Sequence, residues 1–555
     1  MAVNNKMSRV VAIGLDAGEW QLIEPMLAGG ELPNLARIRR RSAECRLRNP
    51  LYRGTLVWEA FLTGRQDEDD VRSGGVAFDP ATYRVAKIAA GSAPPFYAGL
   101  PGVTAIAFDV PHLSMAGAAD DVRVCTWGTH SLSHPRASHP PGLLREIDAA
   151  FGRHPAFGDE HRYAWHRPEF VDWLVRSLVA GSARRADISA WLMARSPNWQ
   201  LFLTVMSESH SAGENLGHVL DAGHPMARLP MAARHRAGLH EVYRAMDAAI
   251  GRIAEGLPPD AVLVVFSILG TAANDAELSS TALLPELLHR LHWKRPFLRD
   301  PDEGARRRDG SPVVLGPADS WDDYMRRRSE RPAVGLRQRV RWLLPDRLVD
   351  AGRAAAARLP ALPFALSRRF SENGAGSSLD WQLPSWYQSR WPRMKAFALP
   401  TFGDARIRLN VRGRERDGVV DLADYHAACQ QVEDSIGACR DPRTGRPVVA
   451  RTWRPRAGAP MEPGGCDADI VLQWSHAFDA LEHPEAGLIG PFPFRRTGGH
   501  TDRGFAFFSG PSIAPGDLGE WCAIDLPATL VALLGREPPP DLDGRPIAGL
   551  CAAVR

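Results

Sequence analysis

Apolar runs bounded by polar residues divide the chain into alternating strand and helix signals. VVAIGL (10–15) is short, unbroken and closed by Asp16. A run of this length between turn signals predicts a strand buried on both faces. Similar runs recur at 104–110, 122–127, 199–208 and 260–270. Between them, 171–195 and 235–255 carry apolar residues at three- and four-residue steps, which predicts helices. EWQLIEPMLAGGELPNLARIRRRS, after Asp16, reads as helical too. Buried strands separated by helices predict an α/β fold with a mainly parallel sheet covered on both faces.

The pattern breaks at 295–378, rich in Arg, Ala, Pro and Gly (EGARRRDG, MRRRSERP, GRAAAARLPALP). That stretch reads either as a solvated excursion or as a lid over a substrate or membrane surface. Beyond it, 394–420 has hairpin character, 468–475 reads as a strand, and 504–513 and 523–535 as a strand then a helix. The expected organisation is therefore a core over 1–294, an Arg-rich insertion over 295–380, a cap-like α+β segment over 381–465, and a closing part of the core over 466–555.

Composition narrows the function classes. Hydrophobic residues make up 45% of 555, enough for a large core. The formal net charge of +3 gives no electrostatic case for nucleic acid. The seven cysteines are scattered without a CxxC pair, which suits a reducing compartment and predicts a cytoplasmic protein. No apolar stretch approaches the ~20 residues of a membrane span.

Chemistry in open α/β sheets collects at the carboxyl ends of strands. Asp16 follows one strand, Glu208 and His210 another, Ser267 a third, and His500 precedes the strand GFAFFSG. In SESHSAGENLGHVLDAGHP (207–225), His210, Glu214 and His218 are spaced by four. They share a face if the stretch is helical, and can converge if it is a loop. Carboxylates and imidazoles meeting from separate strand ends are what a divalent ion requires. Thr55 stands before a predicted helix, where a hydroxyl is either an N-cap or a nucleophile facing backbone N–H groups.

In order along the chain, GLDAGEWQLIEPMLAGGELPNLARI, TLVWEAFLTG, WQLFLTVMSESHSAGENLGH, VLVVFSILGTAAND, GGHTDRGFAFFSGPSI, DLPATLVALLG and DLDGRPI resemble the type I phosphodiesterase and nucleotide-pyrophosphatase branch of the alkaline-phosphatase superfamily. The resemblance implies a three-layer α/β/α sandwich with a smaller cap, and a two-metal site whose Thr or Ser attacks phosphorus. It assigns Thr55 as nucleophile and Asp16, His210, Glu214 and His500 as metal ligands, with Glu208, His218, Asn274 and Asp275 as further candidates. The ions would be zinc, manganese or magnesium, one or two in number. The substrate would be a small phosphate ester, and Asn410 and Arg412 in the cap would touch it, beside Trp386, Trp391, Arg414 and Glu415.

The sequence departs from the family where its ligands lie. His210 and Glu214 stand in place of an Asp and a His. Ile268 and Leu269 occupy the positions of an Asp-His pair, and neither side chain binds metal. Counting back from Thr63-Gly64, the nucleophile position falls on Gly54, one residue before Thr55. Two functions stay open: a metal-dependent phosphoester hydrolase, and a relative that binds a phosphorylated ligand or a partner protein without turnover.

Overall fold

The computed structural model describes residues 9–52, 56–66, 75–88, 93–117, 120–129, 135–300, 311–316, 319–330, 379–463 and 466–550. Most of the Arg-rich insertion, together with Thr55, lies outside them.

The strand Val10–Leu15 sits in the middle of the main sheet, parallel to Leu201–Met206 on one side and Val262–Ser267 on the other. Nine strands form this sheet, in the order Gly516–Cys522, Ser42–Arg48, Arg503–Ser509, Val262–Ser267, Val10–Leu15, Leu201–Met206, Ala105–Phe108, Val122–Cys125, Ala137–His139. Arg503–Ser509 runs antiparallel to both of its neighbours, and Ala137–His139 antiparallel to its one.

Period-two alternation explains the layers. Val11, Ile13 and Leu15 face one apolar core, filled by the helices Pro168–Arg195 and Ala232–Glu255. Val10 and Ala12 face the other, filled by Val57–Thr63 and Asp525–Leu533. The result is the expected three-layer α/β/α arrangement.

A third apolar core supports a four-stranded antiparallel sheet, in the order Ala396–Leu399, Ala405–Leu409, Ile470–Trp474, Val449–Trp453. The strand read at 468–475 thus pairs within this smaller sheet and not with the main one. The helical reading after Asp16 also needs correction. It resolves into two helices, Trp20–Ala28 and Pro33–Arg39, and then the strand Ser42–Arg48. Gly30, at φ 75°, makes the break between the helices.

Among the described residues no helix is long and apolar enough to cross a membrane.

Candidate active site

Parallel pairing brings the ends of the three central strands together. Leu15 lies opposite Met206, and Asp16 N–H donates to Met206 O at 3.0 Å. Asp16 is buried, and Trp58 Nε1–H donates to its Oδ1 at 2.7 Å. The stretch after Met206 is helical over Glu208–Leu216, which puts His210 and Glu214 on one face, Nε2 to Oε1 3.7 Å. A two-stranded antiparallel ribbon, Gly270–Ala273 with Gly498–Thr501, then delivers His500 against His210, ring centroids 5.2 Å apart and 17° from parallel. Gly498 permits this approach, because a Cβ there would collide with Gly213 O on the helix.

Glu214 is the electrostatic centre. Its Oε1 takes an N–H from Arg496 Nη1, and its Oε2 accepts from Tyr163 OH at 2.8 Å. Burial alone would raise this carboxyl. The charges of Arg496, His210 and His161 and the Tyr163 hydrogen bond overturn that and hold it far below the usual range. Arg496 also reaches Glu277 through Nε at 3.1 Å, and Arg495 reaches the same carboxylate at 3.2 Å. Arg496 Nη2 makes no hydrogen bond among the described residues.

Burial, with His210 next, pushes His500 down to about 4 against the pull of Glu214 and Asp16, so at neutral pH it is an uncharged lone-pair donor. The Nδ1 atoms of His210 and His500 are buried and make no hydrogen bond among the described residues.

The other candidates lie elsewhere. Glu208 is sealed with Arg185 Nε and His154 Nε2, each at 3.3 Å. His218 joins His235 (3.2 Å) and His224 in a separate histidine cluster. Asn274 Oδ1 accepts from the Ala276 and Glu277 N–H groups, and its Nδ2 donates to Gly498 O, so it shapes the two-stranded ribbon. Asp275 is exposed. Ser267 Oγ bridges Leu15 O and Leu269 O at 2.7 Å. Ile268 and Leu269 are buried in the apolar core with Trp58 and Phe266.

In the cap, Asn410 is fully buried against Tyr83 OH (2.8 Å), Arg414 pairs with Asp469, and Glu415 with Arg408. Arg412 is exposed and pairs with Asp421 at 3.0 Å. The four residues thus brought together are Asp16, His210, Glu214 and His500. Arg495, Arg496 and Tyr163 complete the cluster, and nothing in the local sequence around RRTGG marks the arginines as site residues.

Among solved structures the chain is similar to alkaline phosphatase PafA over 98% of its own length and 99% of that chain, at 8% identity and a TM-score of 0.50. This chain has the alkaline-phosphatase fold. Weaker likenesses reach human ectonucleotide pyrophosphatase/phosphodiesterase 5 (8% identity, 98% and 99% covered, TM-score 0.45) and the Sinorhizobium meliloti phosphonoacetate hydrolase in complex with phosphonoformate (12%, 99% and 95%, 0.39). No family model matches the chain, and no curated protein does.

The alkaline-phosphatase fold raises the question of a two-ion centre, and the described residues do not fit one. No three His, Cys, Asp or Glu side chains among them surround a common point. Leu269 and Ile268 are core residues, and Glu214 is committed to an arginine.

Proposed function

We propose that the cleft takes a small phosphate ester and that the chain is a phosphoester hydrolase of the phosphodiesterase or nucleotide-pyrophosphatase kind, with a guanidinium standing in for part of the metal charge. The observation that carries this reading is Arg496. Its Nε and Nη1 are anchored on the Glu277 and Glu214 carboxylates, its Nη2 makes no hydrogen bond among the described residues, and its charge acts on His500. A planar donor held in this way presents fixed positive charge to a phosphoryl oxygen, and fixed donors stabilise developing charge at no reorganisation cost.

Trp58 holds Asp16 in one orientation, and His500 keeps an open lone pair. At most one ion, zinc, manganese or magnesium, would find donors here, on His210 and His500 near Asp16. It would need a further ligand such as Thr55. When bound, it would supply Lewis-acid polarisation of the phosphoryl oxygen. Thr55 is the proposed attacking hydroxyl.

A second reading, binding without turnover, is favoured by Ile268 and Leu269, whose apolar atoms replace ligands with core packing. Elemental analysis of the purified chain, run beside turnover of bis-p-nitrophenyl phosphate with zinc or manganese, separates the two. About one ion per chain, with turnover abolished by Thr55→Ala, supports the hydrolase. Binding of the same ester by folded protein without turnover or metal supports the second reading.

A further inference from the structure

The two-stranded ribbon that carries His500 has another face. Successive side chains on an extended strand point to opposite sides. Thr501 therefore turns away from His210, and Gly270 lies opposite it in register. On that side a cavity of about 540 Å³ opens, with Leu22, Val219 and Leu239 on its walls and Arg236 and Arg503 on its rim. The volume falls in the usual range for small-molecule sites.

Glu19 lines the cavity and is 5% exposed. Its Oε1 caps the next helix by accepting Gln21 N–H at 2.8 Å. Among the described residues its Oε2 makes no hydrogen bond, and neither does Thr501 Oγ1. A Cβ on residue 270 would collide with both oxygens, so the glycine is what leaves them open. Burial pushes the Glu19 carboxyl up to about 7, against the backbone N–H groups near it and the charge of Arg503. Most other charged groups at the rim are occupied: His240 pairs with Glu31 at 3.2 Å, Asp502 with Arg48 at 2.6 Å, and Arg236 donates to Val219 O at 3.1 Å. The Arg503 guanidinium forms no ion pair or hydrogen bond among the described residues.

A buried carboxyl oxygen and a hydroxyl that make no hydrogen bond among the described residues call for a donor, and leaving them unmatched is costly. An unpaired guanidinium calls for an anion. Leu22, Val219 and Leu239 line the same cavity. We propose that this cavity is a second small-molecule site that takes an aliphatic amino acid with its charges at opposite ends. The amine would sit on Glu19 and Thr501, the stem along Leu22, Val219 and Leu239, and the carboxylate at Arg503. The site is independent of the phosphate reading, since it shares only the wall formed by the two-stranded ribbon with the cleft.

Calorimetric titration of the full chain with 6-aminohexanoate tests it, with hexanoate and hexylamine each lacking one end. The amino acid should bind at least about tenfold more tightly than either analogue, the loss expected for one charge-assisted contact. Glu19→Gln, which keeps an oxygen for the Gln21 cap, and Arg503→Ala should each weaken it about tenfold with the melting temperature unchanged. No binding by folded protein would overturn the proposal. So would equal affinity for hexanoate or hexylamine, or an affinity that neither variant changes.

Discussion

Glu208 and Glu214 stand on the same nine-residue helix, six positions apart, and each is held by an arginine. Around Glu208 the network is shut off from water: Arg185 and Glu208 are 0% exposed, and Asp109, which takes the other end of Arg185 at 2.8 Å, is 1% exposed; Arg185 Nη1 and Glu208 Oε2 nevertheless make no hydrogen bond among the described residues. Around Glu214 it is open. Arg496 is 15% exposed and Glu214 8%, and here too some atoms stay unmatched among the described residues: Arg496 Nη2 and the Nδ1 atoms of His210 and His500. The same ion-pair chemistry thus does two jobs. Sealed from water, it fixes the long helix Pro168–Arg195 to the strand ends. Left ajar, it stays within reach of solvent.

The largest expected effect falls on the sealed side. Arg185→Met leaves Asp109 and Glu208 buried without their cation and should cost roughly 3–5 kcal/mol in urea unfolding. A loss below about 1 kcal/mol would break the comparison. Arg496→Ala should move binding more than stability, weakening bis-p-nitrophenyl phosphate by about tenfold to a hundredfold, the value of one or two charge-assisted hydrogen bonds. If instead the chain unfolds while residual binding persists, the open network is structural after all.

Acid should act on the histidine cluster before it acts on Glu208. Burial pushes His218 down to about 2, and His224 and His235 to about 4. The unfolded chain therefore takes up protons below about pH 6.5 that the folded chain refuses, and stability falls as pH drops through that window. Each such histidine should cost about 2 kcal/mol between pH 6.5 and 5. The His218→Gln chain should show a shallower fall in its melting temperature. For Glu208, burial raises the carboxyl but Arg185 and His154 prevail and hold it near 2, so its contribution is lost only between about pH 4.5 and 2. The smallest effect belongs to Arg412→Ala, an exposed pair outside both networks. It should change stability by no more than about 0.5 kcal/mol and leave ester affinity untouched.

The buried strands were legible because burial on both faces writes a continuous apolar run. Val10–Leu15, Leu201–Met206 and Val262–Ser267 all carry one. Ser42–Arg48 and Gly516–Cys522 were not. The first alternates with arginines and a glutamate, and the second is an exposed edge with no apolar period. Ile470–Trp474 reads as a strand, but periodicity does not name a partner, and its place in the smaller sheet depends on pairing with Ala405–Leu409. In the cleft, strand ends and the four-residue spacing pointed to Asp16, His210 and Glu214. The arginine that claims Glu214 comes from 282 residues away, and no local pattern encodes such a meeting.

The antiparallel strand Arg503–Ser509 has a consequence for synthesis. It fills the slot between Val262–Ser267 and Ser42–Arg48, yet 235 residues separate Ser267 from Arg503. At about 5–20 residues per second, a ribosome needs roughly 12–47 s to cover that gap. Until then the Val262–Ser267 edge is unsatisfied in the nascent chain, a template for wrong pairing. Slow translation or a shortage of chaperones should therefore harm the yield of this protein more than its final stability would suggest.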